Sequence, residues 1–251
     1  MTTGGTPERF SDLPEAEQRR ILVAGREMTK LVFSYAAAIN VSPPPSVGGK
    51  INNGSGFVLR LDHGLYLVTA WHVVKFWLDR VGAGEKVLFQ VRDALLVPSE
   101  RIVWRDEEND IAFLDLRPEE VEKVNIHVCE PIAGWPPPHP PQGSYVLVSG
   151  FPAVIRKRPQ PANVEFNALS SMLPVTSSRE RHVVCQVERD DLVSFDEHGV
   201  PPPGTDLGGM SGGPALLVGK LSYPVVGLIS EFSKDYELLY IRTLSHVPAK
   251  F

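Results

Sequence analysis

The chain has 251 residues, of which 43% are hydrophobic and 22% are charged, a composition that is ordinary for a soluble globular protein. This length suffices for one large all-β domain or two small ones. The net charge of −5 argues against nucleic acid as the main partner, because proteins that bind it usually present a basic face. The two cysteines, Cys129 and Cys185, are too few for a disulfide framework, so we interpret both as buried thiols.

The N-terminal part of the chain, residues 1–47, is interpreted as a tail, a helix and a linker. Residues 1–10 look disordered, and a helix is predicted from Ser11, which can cap it, with Pro14 in its first turn. We expect this helix to pack on the following domain. No signal peptide is apparent, and the longest apolar run, Leu31–Val41, is shorter than the roughly 20 residues that span a bilayer. These features predict a cytoplasmic protein without a membrane partner.

Strands dominate the rest of the chain. The Pro/Ser segment Val41–Val47 is predicted to be a linker, and Glu130–Gly143, which holds six prolines, is predicted to connect two strand-rich halves. The strands predicted before this connection are Gly56–Leu61, Leu65–Trp71, Val87–Val91, Ile102–Trp104 and Ile111–Leu116. Those predicted after it are Tyr145–Phe151, His182–Glu188, Leu192–Phe195, Pro214–Val218, Pro224–Ser230 and Leu238–Thr243.

One stretch, GGMSGGP at residues 208–214, places a serine between pairs of glycines. Glycine loses more backbone entropy on folding than any other residue, so this composition suits a tight turn that another molecule approaches closely. The pattern favours Ser211 as an exposed nucleophile, with the N–H groups of Gly209 and Ser211 directed at one point as an oxyanion hole. Taken alone, the loop fits an ordinary turn between strands equally well.

Two motifs upstream supply what a nucleophilic serine requires. TAWH at residues 69–72 ends an apolar strand with a histidine, and DIAFL at residues 110–114 opens one with an aspartate. Together with GMSGGP at residues 209–214 they match the T-A-x-H, D-I-A-x-L and G-x-S-G-G-P patterns, in that order. The chain therefore resembles the trypsin/chymotrypsin-fold serine peptidases, especially their bacterial HtrA-type branch, over roughly residues 50–245.

The resemblance implies an all-β fold of two six-stranded antiparallel Greek-key barrels, here preceded by the N-terminal helix. The first barrel would span residues 48–130 and carry the histidine and the aspartate. The crossover would span residues 131–143, and the second barrel, with the serine, residues 144–251.

The resemblance also implies a role for each site residue. His72 would accept the proton of Ser211 and later protonate the leaving amine, and Asp110 would orient the imidazole. The N–H groups of Gly209 and Ser211 would stabilise the oxyanion. In trypsin-type zymogens the residue before the serine is an aspartate that pairs with a new N-terminus. Here it is Met210, which predicts activity without N-terminal cleavage.

Other assignments fit the sequence less well. Residues 209–213 also satisfy the G-x-S-x-G pattern of α/β-hydrolases, but Gly212, Gly213 and Pro214 are poor material for the helix that must follow. Asp115 lies five residues after Asp110 on a strand and therefore points to the opposite face. Asp106 lies in the preceding turn without the D-I-A context.

The residues around the serine also predict the specificity pocket. By the resemblance, Thr205 lies at its floor, and Ser230, Glu231 and Phe232 form a wall. A neutral, narrowed pocket favours a small or medium apolar side chain, with broad preference. The alternative is that Asp206 occupies the floor, which would favour Arg or Lys instead.

The sequence thus predicts a serine endopeptidase that acts on proteins or peptides, with no cofactor and no metal. The alternative is a binding or scaffold module of the same fold whose site is catalytically silent. HtrA-type enzymes often need a partner or an oligomer to order the oxyanion loop, so an activating partner stays open for this chain.

Overall fold

The computed structural model describes residues 14–44, 49–160, 163–194, 199–219 and 222–251. Within them the chain is mostly β-structure, with helices α1 (Glu15–Tyr35), α2 (Trp71–Gly82) and α3 (Pro118–Val124). None of these helices is long and apolar enough to cross a membrane. The predictions for residues 1–10 and for Ser11 as a cap lie outside the described residues, and α1 begins after Pro14.

The first sheet forms the wall of the first barrel. Its strands are β1 (Ala37–Ser42), β2 (Asn52–Leu61), β3 (Gly64–Thr69), β4 (Leu88–Val91), β5 (Ala94–Leu96), β6 (Ile102–Asp106), β7 (Ile111–Leu116) and β8 (Val128–Cys129). They pair in the order β5-β4-β1-β2-β3-β7-β6, and β8 adds a short parallel pair to β2. The two ends of this order do not pair within the described residues, so the sheet is a half-barrel. Phe57, Phe89 and Phe113 are fully buried in its core.

Strand β1 corrects the predicted start of this barrel. We predicted a linker over Val41–Val47 and a barrel from residue 48, but β1 pairs with both β2 and β4. Ala37, Ile39 and Val41 lie in the first core, with the period of two that a strand requires, whereas Ala38 is buried in a separate cluster with Phe151. The apolar run continues from α1 directly into β1, so hydropathy alone does not separate the two elements.

The second sheet closes into a barrel. The strands of this half are β9 (Tyr145–Gly150), β10 (Lys157–Gln160), β11 (Asn163–Glu165), β12 (Leu169–Arg179), β13 (His182–Gln186), β14 (Val193–Ser194), β15 (Pro214–Leu217), β16 (Val225–Ser233) and β17 (Leu238–Thr243). The order β13-β17-β16-β15-β9-β12 returns to β13 through an additional pairing with β12. β14 pairs with β12, and β10 and β11 form a separate ribbon. The predicted all-β, two-barrel fold is confirmed.

The longest strand of the second barrel, β12, is absent from the predicted strands. It is rich in Ser and Thr and contains Pro174, a residue that argues against a central strand because it lacks an N–H donor. Here Pro174 lies opposite Tyr145 at the start of β9. Burial of Leu169, Leu173 and Val175 fixes the strand on the barrel.

Helix α1 packs against β9 and β12 of the second barrel, although the strand that follows it belongs to the first sheet. Val32 is fully buried, and the rings of Phe33 and Phe151 lie 6.3 Å apart. The Ser34 carbonyl accepts a 2.9 Å hydrogen bond from the N–H of His127. The helix therefore bridges the two halves.

Each barrel has its own core, and each core contains one cysteine. Cys129 lies in the first core and Cys185 in the second, both buried and unpaired by disulfides. Burial raises the pKa of Cys185 to about 12 and also raises the pKa of Cys129. The interpretation of both as buried thiols is confirmed.

Candidate active site

The first barrel brings His72 and Asp110 together because β3 and β7 are antiparallel neighbours. The end of β3 therefore lies beside the start of β7. His72 follows β3 in the first turn of α2, and Asp110 immediately precedes β7. Helix α2 begins at Trp71 and continues to Gly82. This helix holds the backbone of His72 rigidly.

Asp110 holds both the helix and the imidazole. Its Oδ2 lies 2.7 Å from His72 Nδ1, its Oδ1 accepts the His72 N–H at 2.8 Å, and its carbonyl accepts the Trp71 N–H at 3.1 Å. The N–H groups of a first helical turn lack partners inside the helix, and the helix dipole favours an anion there. The left-handed backbone of Asp110, with φ of 57°, is a conformation that Asp tolerates better than most residues. With Nδ1 donating to the carboxylate, Nε2 is the acceptor.

The two rival aspartates have other partners. Asp106 accepts hydrogen bonds from the backbone and side chain of Asn109, at 3.0 and 2.6 Å. Although burial raises the pKa of Asp106, these bonds lower it below its ordinary value. Asp115 lies 3.9 Å from Arg101 with its side chain 47% exposed. Asp106 thus stabilises the turn that presents Asp110, and Asp115 faces elsewhere.

The serine loop requires its glycines. Gly209 and Gly212 have φ of 103° and 91°, in the region that a side chain strains. A Cβ at Gly212 would collide with the Ser55 carbonyl oxygen, and one at Gly213 would collide with the Ser149 carbonyl oxygen. The loop therefore lies directly against the backbones of both barrels.

Contacts with the neighbouring backbone orient the carbonyl groups of this loop. The Gly208 carbonyl accepts the Ala153 N–H at 2.7 Å, and the Ser211 carbonyl accepts the Ser55 N–H at 2.8 Å. The hydroxyl of the fully buried Ser55 donates to the Gly209 carbonyl at 2.7 Å and accepts the Phe151 N–H at 2.9 Å. Within the described residues, the N–H groups of Gly209 and Ser211 donate to no protein acceptor. These are the two predicted oxyanion donors.

Met210 anchors the loop in the second barrel. It is 2% exposed and belongs to the core cluster that also contains Leu207 and Val148. Gly150 lies so close that a Cβ there would approach the Met210 Cα to 2.8 Å. Trypsin-type zymogens carry an aspartate that forms an ion pair at this position. Here Met210 is held by apolar packing instead.

The Ser211 hydroxyl lies in the same cleft as His72 and Asp110, a cavity of about 390 Å³. It donates a 3.0 Å hydrogen bond to the Ser230 carbonyl. No hydrogen bond joins Ser211 to His72 in the described part of the chain.

Ser230 lies at an irregularity in the pairing of β16 with β17. Bulges of this kind commonly redirect groups at active sites. The hydroxyl of Ser230 itself donates to the Tyr240 carbonyl at 3.2 Å.

The predicted pocket residues are only partly brought together. Asp206, Ser230, Glu231 and Phe232 line the cleft, but Thr205 does not. The Thr205 carbonyl instead accepts a 2.9 Å hydrogen bond from Arg189. Thr205 is therefore not among the residues that line this cavity, and its place at the pocket floor stays a prediction.

A residue that the motifs did not indicate, Arg242, also lines the cleft. It lies on β17, where Leu239, Ile241 and Thr243 are buried in the barrel and Arg242 falls between them. The alternation of apolar and polar residues along this predicted strand was the feature of the sequence that could have indicated Arg242. Among the described residues, no group of three or more His, Cys, Asp or Glu could hold a metal.

Several solved structures are similar in fold. The thermostable serine protease AL20 from an extremophilic microorganism is 14% identical, with a TM-score of 0.48 over 84% of this chain and 91% of that chain. The active form of the Rv3671c protease from M. tuberculosis is 19% identical, with a TM-score of 0.42 over 88% and 81%. The inactivated protease paralogue S-I1 of the scabies mite is 18% identical, with a TM-score of 0.45 over 85% and 90%.

Comparison of the sequence itself gives a single family. No curated protein matches the chain, but the profile of the trypsin-like peptidase domain matches residues 54–221, which is more than half of its length. The match includes the His72–Asp110 pair and the Ser211 loop described above. This chain therefore belongs to the trypsin-like peptidase domain family.

Proposed function

We propose that this protein is a serine endopeptidase in which His72, Asp110 and Ser211 act as a catalytic triad. The observation that carries the proposal is the 2.7 Å contact between His72 Nδ1 and Asp110 Oδ2, in one cleft with Ser211. An imidazole that donates from Nδ1 keeps Nε2 available as a base, which is the arrangement that a nucleophilic serine requires.

The reaction needs one rotation of the Ser211 side chain, from the Ser230 carbonyl towards His72 Nε2. Hydrogen bonds between catalytic groups are often formed only once substrate is bound. Nε2 then takes the hydroxyl proton while Oγ attacks the peptide carbonyl. Collapse of the tetrahedral intermediate breaks the C–N bond, and His72 gives the proton to the leaving amine. Water, activated by the same imidazole, hydrolyses the acyl-enzyme.

The oxyanion of this intermediate would be bound by the N–H groups of Gly209 and Ser211, which have no protein acceptor within the described residues. Such donors commonly contribute about 3 kcal/mol each to the transition state. Because the carbonyls of the same loop are held by Ser55 and Ala153, the donors are oriented before substrate arrives.

Within the family, we propose kinship with the HtrA-type branch and a cytoplasmic location. The sequence motifs TAWH, DIAFL and GMSGGP support this kinship. Its substrates would be proteins or peptides. Dependence on an activating partner is not expected, since Met210 is already packed in the core.

The direct test is cleavage of a denatured protein substrate, followed by mass spectrometry. We expect cleavage by the native sequence and none by Ser211→Ala, with both proteins equally folded by circular dichroism. The matched control is Ser222→Ala, which removes an exposed hydroxyl and should cleave normally. Cleavage that survives Ser211→Ala would refute the assignment.

A second candidate, a silent binding module of the same fold, is favoured by the hydrogen bond from Ser211 to the Ser230 carbonyl. A fluorophosphonate probe separates the two, because it reacts covalently only with an activated serine. Labelling of Ser211 supports the peptidase, and a folded protein that is not labelled supports the binding module.

A further inference from the structure

Arg242 is a cation in the cleft that the proposed triad does not use. Strand pairing places it opposite Leu228 of β16 and His182 of β13. Its flanking residues Ile241 and Thr243 are fully buried, whereas Arg242 itself is half-buried. Its side chain lines the same cavity as Ser211, Ser230 and Phe232.

This guanidinium has no anionic partner in the described part of the chain. Its Nε is buried without a hydrogen-bond acceptor, and no carboxylate oxygen of the described residues forms an ion pair with it. The neighbour of Arg242 on β13 is His182. Burial lowers the pKa of His182, and the positive charge of Arg242 lowers it further. His182 therefore supplies no negative charge to the guanidinium. A buried donor without an acceptor is costly, at about 1–3 kcal/mol.

The other cation near this wall is already neutralised. Arg189 lies 5.2 Å from the ring of Phe232 and pairs with Glu237 at 2.6 Å. Three acidic residues also line the cleft. Asp110 pairs with His72 at 2.7 Å, whereas Asp206 and Glu231 are exposed, and Asp206 accepts the Gly208 N–H at 2.8 Å. The charges of Asp206 and Glu231 face water, where they are screened, whereas that of the half-buried Arg242 is screened less.

We propose that the cleft selects an acidic side chain, Asp or Glu, at the substrate residue whose carbonyl Ser211 attacks, and that Arg242 binds its carboxylate. The inference rests on the proposed peptidase function and deepens it. Arginine suits this role because its planar fork binds a carboxylate through two parallel hydrogen bonds. It replaces both pocket preferences predicted from the sequence.

The test compares peptides that differ only at this residue, carrying Glu, Gln, Leu or Lys, and measures kcat/KM for the native protein. We expect Glu to exceed Gln by about 10- to 100-fold, the range for a hydrogen bond to a charged group. Arg242→Gln should abolish this ratio, and Arg242→Lys should retain part of it because the charge remains. The matched control Lys234→Gln removes an exposed cation beyond Phe232 and should keep the native ratio.

Fluorophosphonate labelling of Ser211 is measured on the same samples, so that two failures are distinguished. A protein that labels but prefers Gln, Leu or Lys overturns the acidic preference and leaves the peptidase assignment intact. An Arg242→Gln variant that labels and keeps the Glu preference overturns the role of Arg242. A native protein that neither labels nor cleaves overturns the peptidase assignment and this inference with it.

Discussion

The two halves of the site are held by different means. On the first barrel, Asp110 fixes His72 through two hydrogen bonds from its carboxylate at 2.7 and 2.8 Å. On the second barrel, the Ser211 loop is held by neutral backbone contacts and by Met210, which is 2% exposed. The first half depends on one charged group, whereas the second depends on close packing. Changes to charge should therefore damage the first half, and changes to volume should damage the second.

The largest expected effect concerns the charged half. His72→Ala and Asp110→Asn should each lower kcat by about 10⁴ or more, because the imidazole is lost in one variant and misoriented in the other. The double variant should be little worse than either, since the groups act as a unit. The measurement is steady-state peptide hydrolysis. Effects that multiply in the double variant would show that the two residues act independently.

The second half of the site, which depends on close packing, should be sensitive to the side-chain volume at Met210. Met210→Ala should lower the free energy of unfolding by about 2–5 kcal/mol, because it leaves a cavity under the loop. Met210→Leu, which conserves volume, should cost less than about 1.5 kcal/mol. Urea denaturation measures both, and the fluorophosphonate labelling rate should fall in the same order. Equal stability of the Ala and Leu variants would mean that Met210 does not anchor the loop.

A partly buried ion pair between Arg189 and Glu237 supports the second half of the site from behind the cleft. Burial raises the pKa of Glu237, but hydrogen bonds from Arg189 and from the Gly204 N–H lower it below its ordinary value of 4.5. A depressed folded-state pKa contributes stability that is present above the unfolded value and lost as the pH falls through the folded one. Glu237→Gln should therefore cost about 2 kcal/mol at neutral pH.

The comparison of native protein and Glu237→Gln in urea, near pH 7 and near pH 3, checks this sign. The difference should shrink towards the lower pH, because the native Glu237 becomes protonated there. A difference that is the same at both values would show that the carboxylate charge is not what stabilises this region.

The smallest expected effect lies where the halves meet. Ser55 belongs to the first barrel but donates to the Gly209 carbonyl of the serine loop. Ser55→Ala should lower kcat by about tenfold, equivalent to one hydrogen bond, with KM nearly unchanged, because the oxyanion donors lose orientation and substrate binding is retained. A rise in KM at constant kcat would instead place Ser55 among the groups that bind substrate.

Local motifs indicated three residues that the structure brings into one cleft, whereas these motifs do not contain information on long-range packing. His72, Asp110 and Ser211 lie within short patterns whose residue types the chemistry itself requires. β1 was hidden because its apolar residues continue those of α1, and β12 because it contains Pro174. The position of Thr205 at the pocket floor stays a prediction, because a count along the chain does not show which way a loop turns. Arg242 lies far along the chain from Ser211, and only strand pairing brings it into the cleft.

The account is tested most directly by fluorophosphonate labelling of the 251-residue chain with an uncleaved N-terminal tag, mapped by mass spectrometry. If packing of Met210 and the Ser55 contacts assemble the serine loop without an N-terminal ion pair, one probe should attach per molecule, on Ser211. Labelling that appears only after the N-terminal segment is removed would contradict this, as would attachment to a different serine.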